Sequence, residues 1–176
     1  MIILGKHTCS IYPNSGITYE NNGGTLVFKG KCLIGSDSFI SIGPKATVSI
    51  GDNFECNAAL KLVSHYKIDF ANDVSIGFEN FIVDTDFHRL SCVENQFTKD
   101  LHKAYEAIQI GESCWLGSKC CTFKGTFLPD FCVVASCSML NKKYNVPSYT
   151  LLAGIPATVK KNGIYRNRKN DKIIID

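Results

Sequence analysis

From Ile110 onward the chain repeats in sixes. Ile110, Leu116, Thr122, Leu128, Val134 and Leu140 follow one another without a slip, and four places after the first five stand Cys114, Cys120, Thr126, Cys132 and Ser138, all small. A period of six is neither the 3.6 of an amphipathic helix nor the 2 of a simple alternating strand. It predicts short strands separated by corners, each six carrying two inward positions, one large and one confined. The same register runs earlier through Phe28, Ile34 and Ile40, with Cys32 and Ser38 in the small place. Ile42 to Val48, with Ala46 small, and Ile50 to Cys56 restart it after two-residue insertions, and Val74, Ile76 and Ile82 add a further turn. A unit of this size cannot bury its own apolar face, so successive turns must stack and the end turns need caps.

This register also explains the cysteines. Five of the nine fall between residues 110 and 140, but the sequence has no CxxC pair, and His7, His65, His88 and His102 lie at least fourteen residues apart, which is not zinc-ligand spacing. A free thiol in a core behaves as a small hydrophobe. Cys114, Cys120 and Cys132 are therefore predicted core fillers, while Cys121 and Cys137 fall off the register and are predicted outside it.

Composition adds limits. With 176 residues, 45% hydrophobic and 20% charged, the chain is expected to form one globular domain. A formal charge of +3 makes no case for nucleic acid and leaves small anionic ligands open. No apolar run approaches the roughly eighteen residues of a membrane span, and the opening "MIILGKHTCS" does not read as a signal peptide. An odd number of cysteines without such a peptide predicts a reducing, cytoplasmic setting.

The period is lost between Ile82 and Ile108. Long irregular connections in a regular stack are where function is usually sited. "KDLHKAYEAI" in this stretch is expected to include a short helical turn, and the excursion, which contains His102, is expected to lie as a flap beside a neighbouring subunit. At its base runs Asp84-Thr85-Asp86-Phe87-His88. If extended, residues 84, 86 and 88 point to one side, where a carboxylate raises the basicity of an imidazole and fixes its tautomer. The same residues also fit a hydrogen-bonded loop in which the aspartates turn the chain and His88 is only surface. His65, flanked by alternating apolar residues, reads as a satisfied structural histidine.

With Ile-Gly pairs beginning at 34, 42, 50, 76 and 110, the hexads over roughly residues 26 to 158 resemble the hexapeptide-repeat acyltransferases. The resemblance implies an all-β fold, a left-handed parallel β-helix of three short sheets. It would occupy residues 1–158, with a flap at 89–107 and a basic extension at 159–176. The run from Ile82 to His88 is similar to the I-x-D-x-D-x-H segment of the polysaccharide and sugar O-acetyltransferase branch, which implies His88 as catalytic base and Asp84 or Asp86 as its orienting carboxylate. Ala153-Gly154-Ile155-Pro156-Ala157 resembles the exit of that family's helix, where coenzyme A runs beside the coils, so Gly154 and Pro156 become cofactor-side residues. By the same resemblance Ala135 and Ser136 match the paired small residues beside the pantetheine arm, and Trp115 matches a "WIG" position.

Lys142, Lys143, Lys160 and Lys161 are candidates to meet the coenzyme's phosphates. Six basic residues against one acidic between 160 and 172 suit an anion there, and equally suit a solvated end. The implied activity is acetyl transfer from acetyl-CoA to a hydroxyl of a sugar or glycan precursor, without a metal, in a homotrimer whose active sites lie between subunits. Two alternatives stand beside it. One is N-acetylation of an amino sugar or other small amine. The other is a non-catalytic or zinc-binding β-helix, which for zinc would need three histidines on adjoining coils where only His65 and His88 are close in register.

Overall fold

The six-residue register becomes strand, corner, strand. The computed structural model describes residues 1–88, 103–168 and 171, and its strands fall into three sheets. The first sheet holds β1 (Ile2–Lys6), β4 (Cys32–Gly35), β7 (Phe54–Cys56), β10 (Ser75–Ile76), β13 (Trp115–Leu116), β16 (Val133–Val134), β18 (Thr150–Gly154) and β19 (Ala157–Asn162). The second holds β2 (Ile17–Asn21), β5 (Ser38–Ile42), β8 (Lys61–Ser64), β11 (Phe81–Val83), β14 (Cys121–Phe123) and β17 (Met139–Leu140). The third holds β3 (Thr25–Phe28), β6 (Thr47–Ile50), β9 (Lys67–Phe70), β12 (Ile108–Ile110) and β15 (Phe127–Leu128).

Every strand before β19 pairs in parallel with the strand one turn away, as in β4 with β7 and β13 with β16. The chain is thus a three-sided parallel β-solenoid, as expected of a left-handed β-helix. It begins earlier than the clean hexads: β1 already pairs with β4, Ile2 opposite Cys32. Residues 1–28 therefore form the first turn, ahead of the stretch from 26 that carried the resemblance.

Coil length decides what fills the core. In the C-terminal turns Trp115 pairs with Val133 and Cys121 with Met139, eighteen residues on, so a turn is three hexads. Inside them Leu116, Leu128 and Val134 are fully buried beside Cys114, Cys120, Thr126 and Cys132. In the earlier turns Cys32 pairs with Phe54 and Ile50 with Phe70, twenty-two and twenty residues on. Those wider turns take Phe54 and Phe70, whose rings pack at 5.1 Å. Interiors hold to close packing, so a wider coil needs larger residues and a narrow one admits only small fillers.

The corners impose a second requirement. Asp37, Ala59, Glu79, Lys119 and Cys137 stack along the edge between the first and second sheets, all at φ between 56° and 63°. Asn53, Asp73, Ser113, Phe131 and Tyr149 stack along the edge between the third and first, at φ between 55° and 64°. Left-handed backbone costs a non-glycine residue roughly 1–2 kcal/mol. Inter-coil hydrogen bonds offset that cost at these turns, as in Asp73 N to Asp52 O at 2.8 Å and Phe131 N to Glu112 O at 2.7 Å. Cys137 is one of these corner residues and is exposed.

At the C-terminal end the last strand reverses. β18 and β19 form an antiparallel hairpin through a cis Ile155-Pro156 bond. Leu152, Ala157 and Tyr144 close the core there. The last strand, β19, runs across residue 158. Among the described residues no helix is long and apolar enough to cross a membrane.

Candidate functional site

The excursion leaves the stack after β11, at the corner between the second and third sheets. Asp84 turns inward there and is fully buried, its carboxylate accepting from Ser64 Oγ at 2.6 Å, His65 N at 2.7 Å and Tyr66 N at 3.0 Å. Entering and leaving strands are stapled together. Asp86 N donates to Ala104 O at 2.8 Å, Glu106 N to Asp84 O at 3.1 Å, and Thr85 bridges Tyr105 in antiparallel fashion. Lys124 ties the outer side of the stem, ion-paired to Asp86 and donating to the Lys103 carbonyl at 2.6 Å.

The shared face expected for Asp84, Asp86 and His88 does not form. Phe87 adopts φ 62°, supported by its N–H donating to Thr85 Oγ1 at 2.9 Å. β11 has already ended at Val83, and the chain bends at Asp84, which lies inside, engaged with the preceding coil, while Asp86 is outside with Lys124 and His88 stands exposed at the root of the excursion. His65 departs from its expectation too. It is exposed at this same corner, its ring edge-on to Phe87 at 5.2 Å, because the turn after β8 places it beyond the last inward position. Of "KDLHKAYEAI", Tyr105 lies in the antiparallel bridge and not in a helical turn. Most of the flap, 89–102 with His102, lies outside the described residues.

A second feature lies on the edge between the first and second sheets. A groove of about 460 Å³ is lined by Trp115, Phe78, Ser118, Ser136 and Arg166, with glycines 77 and 117 on its floor. Close coil packing produces it. A Cβ on Gly77 would meet Ser118 N at 2.6 Å, and one on Gly117 would meet Ser136 N at 2.6 Å, so no side chain fits between the stacked corners. Ser136 Oγ accepts from Ser118 N at 3.1 Å and Ser118 Oγ from Phe78 N at 3.2 Å. Each hydroxyl keeps its own O–H to donate.

The candidate cofactor residues divide between sides of the prism. Trp115 and Ser136 line this groove together. Ala135 lies beside them, held in the coil by its N–H to Leu152 O at 2.9 Å. Gly154 and Pro156 sit in the terminal hairpin, with Gly154 N donating to Ser138 Oγ at 3.1 Å. Lys160 and Lys161 are exposed on β19 at the end of the first sheet. Lys142 and Lys143 lie over Tyr144 and Phe127, and Lys143 bridges to Phe127, which puts them against the third sheet, away from the groove.

Of the residues lining the groove, only Trp115 and Ser136 were picked out from the sequence. Ser118 could have been, since it precedes Ser136 by eighteen residues, one full turn. Arg166 carried no signal beyond membership of a basic tail. The thiols offer no nucleophile inside the stack. Burial pushes Cys32 up to about 12 and raises Cys114, Cys120 and Cys132 above the usual thiol value. Among the described residues no three His, Cys, Asp or Glu side chains converge as a metal-binding group.

No protein-family description matches the chain. WbbJ of Escherichia coli, named for lipopolysaccharide biosynthesis O-acetyl transfer, is 23% identical over 77% of this chain and 78% of its own length. Among solved structures, the polySia specific acetyltransferase NeuO superposes with a TM-score of 0.66 at 17% identity, covering 99% of this chain and 81% of NeuO. AntD, an N-acyltransferase from Bacillus cereus solved with dTDP and 3-hydroxybutyryl-CoA, superposes at 0.59 with 13% identity, covering 89% of this chain and 82% of AntD. At such identities the structural likeness is one of fold.

Proposed function

We propose that this protein transfers an acetyl group from acetyl-CoA to a hydroxyl of a sugar or glycan precursor, with His88 as general base. One observation carries the reading: an exposed histidine stands at the root of a long interruption of the coil, on a stack whose adjoining edge carries a groove of stacked small residues. The groove suits a thin, amide-bearing arm. Glycine and serine corners bring backbone and hydroxyl groups to its floor, and Trp115 forms an apolar wall. Ser118, Ser136 and Trp115 would hold the coenzyme there, and the coenzyme supplies the activated thioester.

His88 takes the proton of the acceptor hydroxyl as its oxygen attacks the thioester carbonyl, and returns it to the leaving sulfur. Asp84 contributes by fixing the stem from which His88 projects. Asp86 acts through Lys124, holding the outgoing strand against the incoming one. The resemblance to WbbJ and NeuO, both named for acetyl transfer to glycans, supports this acceptor class.

The groove and His88 lie on different edges of one prism, so a single chain does not bring them together. That separation supports a homotrimer in which His88 of one subunit meets the groove of the next. Free thiols at every described cysteine favour a reducing, cytoplasmic setting. Fold likeness to AntD keeps an amine acceptor as the second reading.

The test is a thiol-release assay with acetyl-CoA against a panel of sugars and amines, run on wild type and His88→Ala. Transfer to a hydroxyl acceptor should fall roughly 100- to 10,000-fold in the variant while coenzyme binding persists. Near-wild-type turnover in His88→Ala eliminates the base assignment. Transfer confined to amines selects the second reading.

A further inference from the structure

Residues 163–168 do not project into solvent. After β19 the chain runs back across the outward face of the first sheet. Ile164 N donates to Tyr149 O at 2.8 Å, and Tyr165 meets Tyr149 edge-on at 5.5 Å. Three residues further on, Arg168 pairs with Glu55 at 2.7 Å and donates to the Asn53 carbonyl at 2.9 Å. Tyr149 and Glu55 belong to turns far apart along the stack, so the segment is a strap fixed at both ends.

Arg166 lies between these two anchors. Its guanidinium stands 5.0 Å from the centroid of the Trp115 ring and is ion-paired with Asp171. Among the described residues lining the groove, these two carry the only charges; the rest are Asn57, Phe78, Trp115, glycine and serine. A guanidinium stacked on an indole presents its N–H edge, and that planar fork matches carboxylate and phosphate alike. An ion pair as exposed as Arg166 and Asp171, with side chains 28% and 42% accessible, is weakly held and exchanges its anion readily.

We infer that Arg166 binds a phosphate of the coenzyme at the mouth of this groove, and that Asp171 occupies the same guanidinium edge until the phosphate displaces it. The inference rests on the coenzyme reading above and adds to it a binding residue and a built-in competitor. Asp171 is then a gate, since an intramolecular carboxylate must leave before the anion is seated. Trp115 orients the fork, and the Arg168 anchor keeps the strap at the right height along the sheet.

Calorimetric titration of the full-length protein with CoA, 3′-dephospho-CoA and pantetheine tests this, with KM for acetyl-CoA and acetyl-pantetheine measured in parallel. Arg166→Ala should weaken CoA about tenfold or more, in line with loss of a charge-assisted pair, and leave pantetheine unchanged. Asp171→Asn should tighten CoA several-fold, again without effect on pantetheine. If 3′-dephospho-CoA binds Arg166→Ala and wild type equally, the contact is the 3′-phosphate; if it shows the same loss as CoA, the contact is the pyrophosphate. Both place a phosphate on Arg166.

An equal effect on pantetheine and CoA would make Arg166 a structural residue and overturn the assignment, and weaker CoA binding by Asp171→Asn would overturn the gate. Unchanged CoA binding in both variants, with wild type still transferring acetyl, removes this inference alone. Failure of wild type to bind any of the three ligands removes the coenzyme reading together with it.

Discussion

Two residues four positions from one another in the interrupted segment do opposite kinds of work. Asp84 is a buried anion whose oxygens satisfy one hydroxyl and two backbone N–H groups. Asp84→Ala leaves three donors without an acceptor in the interior, which costs about 3 kcal/mol or more. For a chain of this size the midpoint of thermal unfolding should fall by roughly 6–12 °C. Asp84→Asn keeps one acceptor oxygen and should lose less. A melting temperature for Asp84→Ala within a degree of wild type would refute this account. His88 is exposed and outside the core, so His88→Ala should melt with wild type while losing transfer. The two variants separate chemistry from scaffold: one inactive and stable, the other unstable.

At the scale of elements, burial sorts the cysteines by turn position. Cys32, Cys56, Cys114, Cys120 and Cys132 sit in confined inward places, and desolvation disfavours their thiolates. Among the described cysteines, a disulfide-exchange reagent near pH 8 should label Cys137 first, because it is an exposed corner residue, and should leave those five unlabelled until the stack unfolds. Mass mapping of modified peptides reads this directly, and rapid labelling of Cys120 or Cys132 in the folded protein would contradict the packing described.

The loop joining β1 to β2 carries a different signature. It reaches the corner after β10, where Tyr12 stacks on Phe78 at 5.2 Å and its hydroxyl donates to Glu79. That hydrogen bond, with burial and the Glu79 charge behind it, pushes the Tyr12 phenol up to about 12. A phenol raised in the folded state binds its proton more tightly there than in the unfolded chain. Its stabilisation is therefore complete below the ordinary tyrosine value near 10 and is lost as pH climbs toward 12. Wild type should lose protection of this loop against proteolysis over that window. Tyr12→Phe should already be susceptible at pH 8 and show no further change. Equal pH dependence in the two proteins would exclude the hydrogen bond as the cause.

For the whole molecule, the proposed function requires two copies to complete one site. His88 projects from the edge between the second and third sheets, and the groove runs along the edge between the first and second. Light scattering should give a trimer. A sharper measurement mixes two inactive variants, His88→Ala and Ser136→Trp, the latter filling the groove. If the site spans a subunit boundary, co-refolded mixtures regain part of the transfer activity, because some boundaries pair an intact histidine with an open groove. Mixtures as inactive as their parents would place both halves of the site within one chain.

The sequence by itself determined the architecture, because a stacked coil repeats one local problem every six residues. Each turn must supply a large branched side chain and a small one at fixed intervals, and that demand is written in Leu116, Leu128 and Val134 beside Cys114, Cys120 and Cys132. It also located the excursion, since a broken period is a local fact. What only the tertiary structure decided depends on contacts between residues distant in the chain. Asp84 and Asp86 look equivalent in the sequence, yet Ser64 and the backbone of the previous turn bind one while Lys124 binds the other. Alternation put them on one face, and the bend at Asp84 together with these partners removed that symmetry. The basic tail likewise showed only its charge. Whether Arg166 meets solvent or Trp115 is set by where Tyr149 and Glu55 hold the returning strand, and no local pattern records that path.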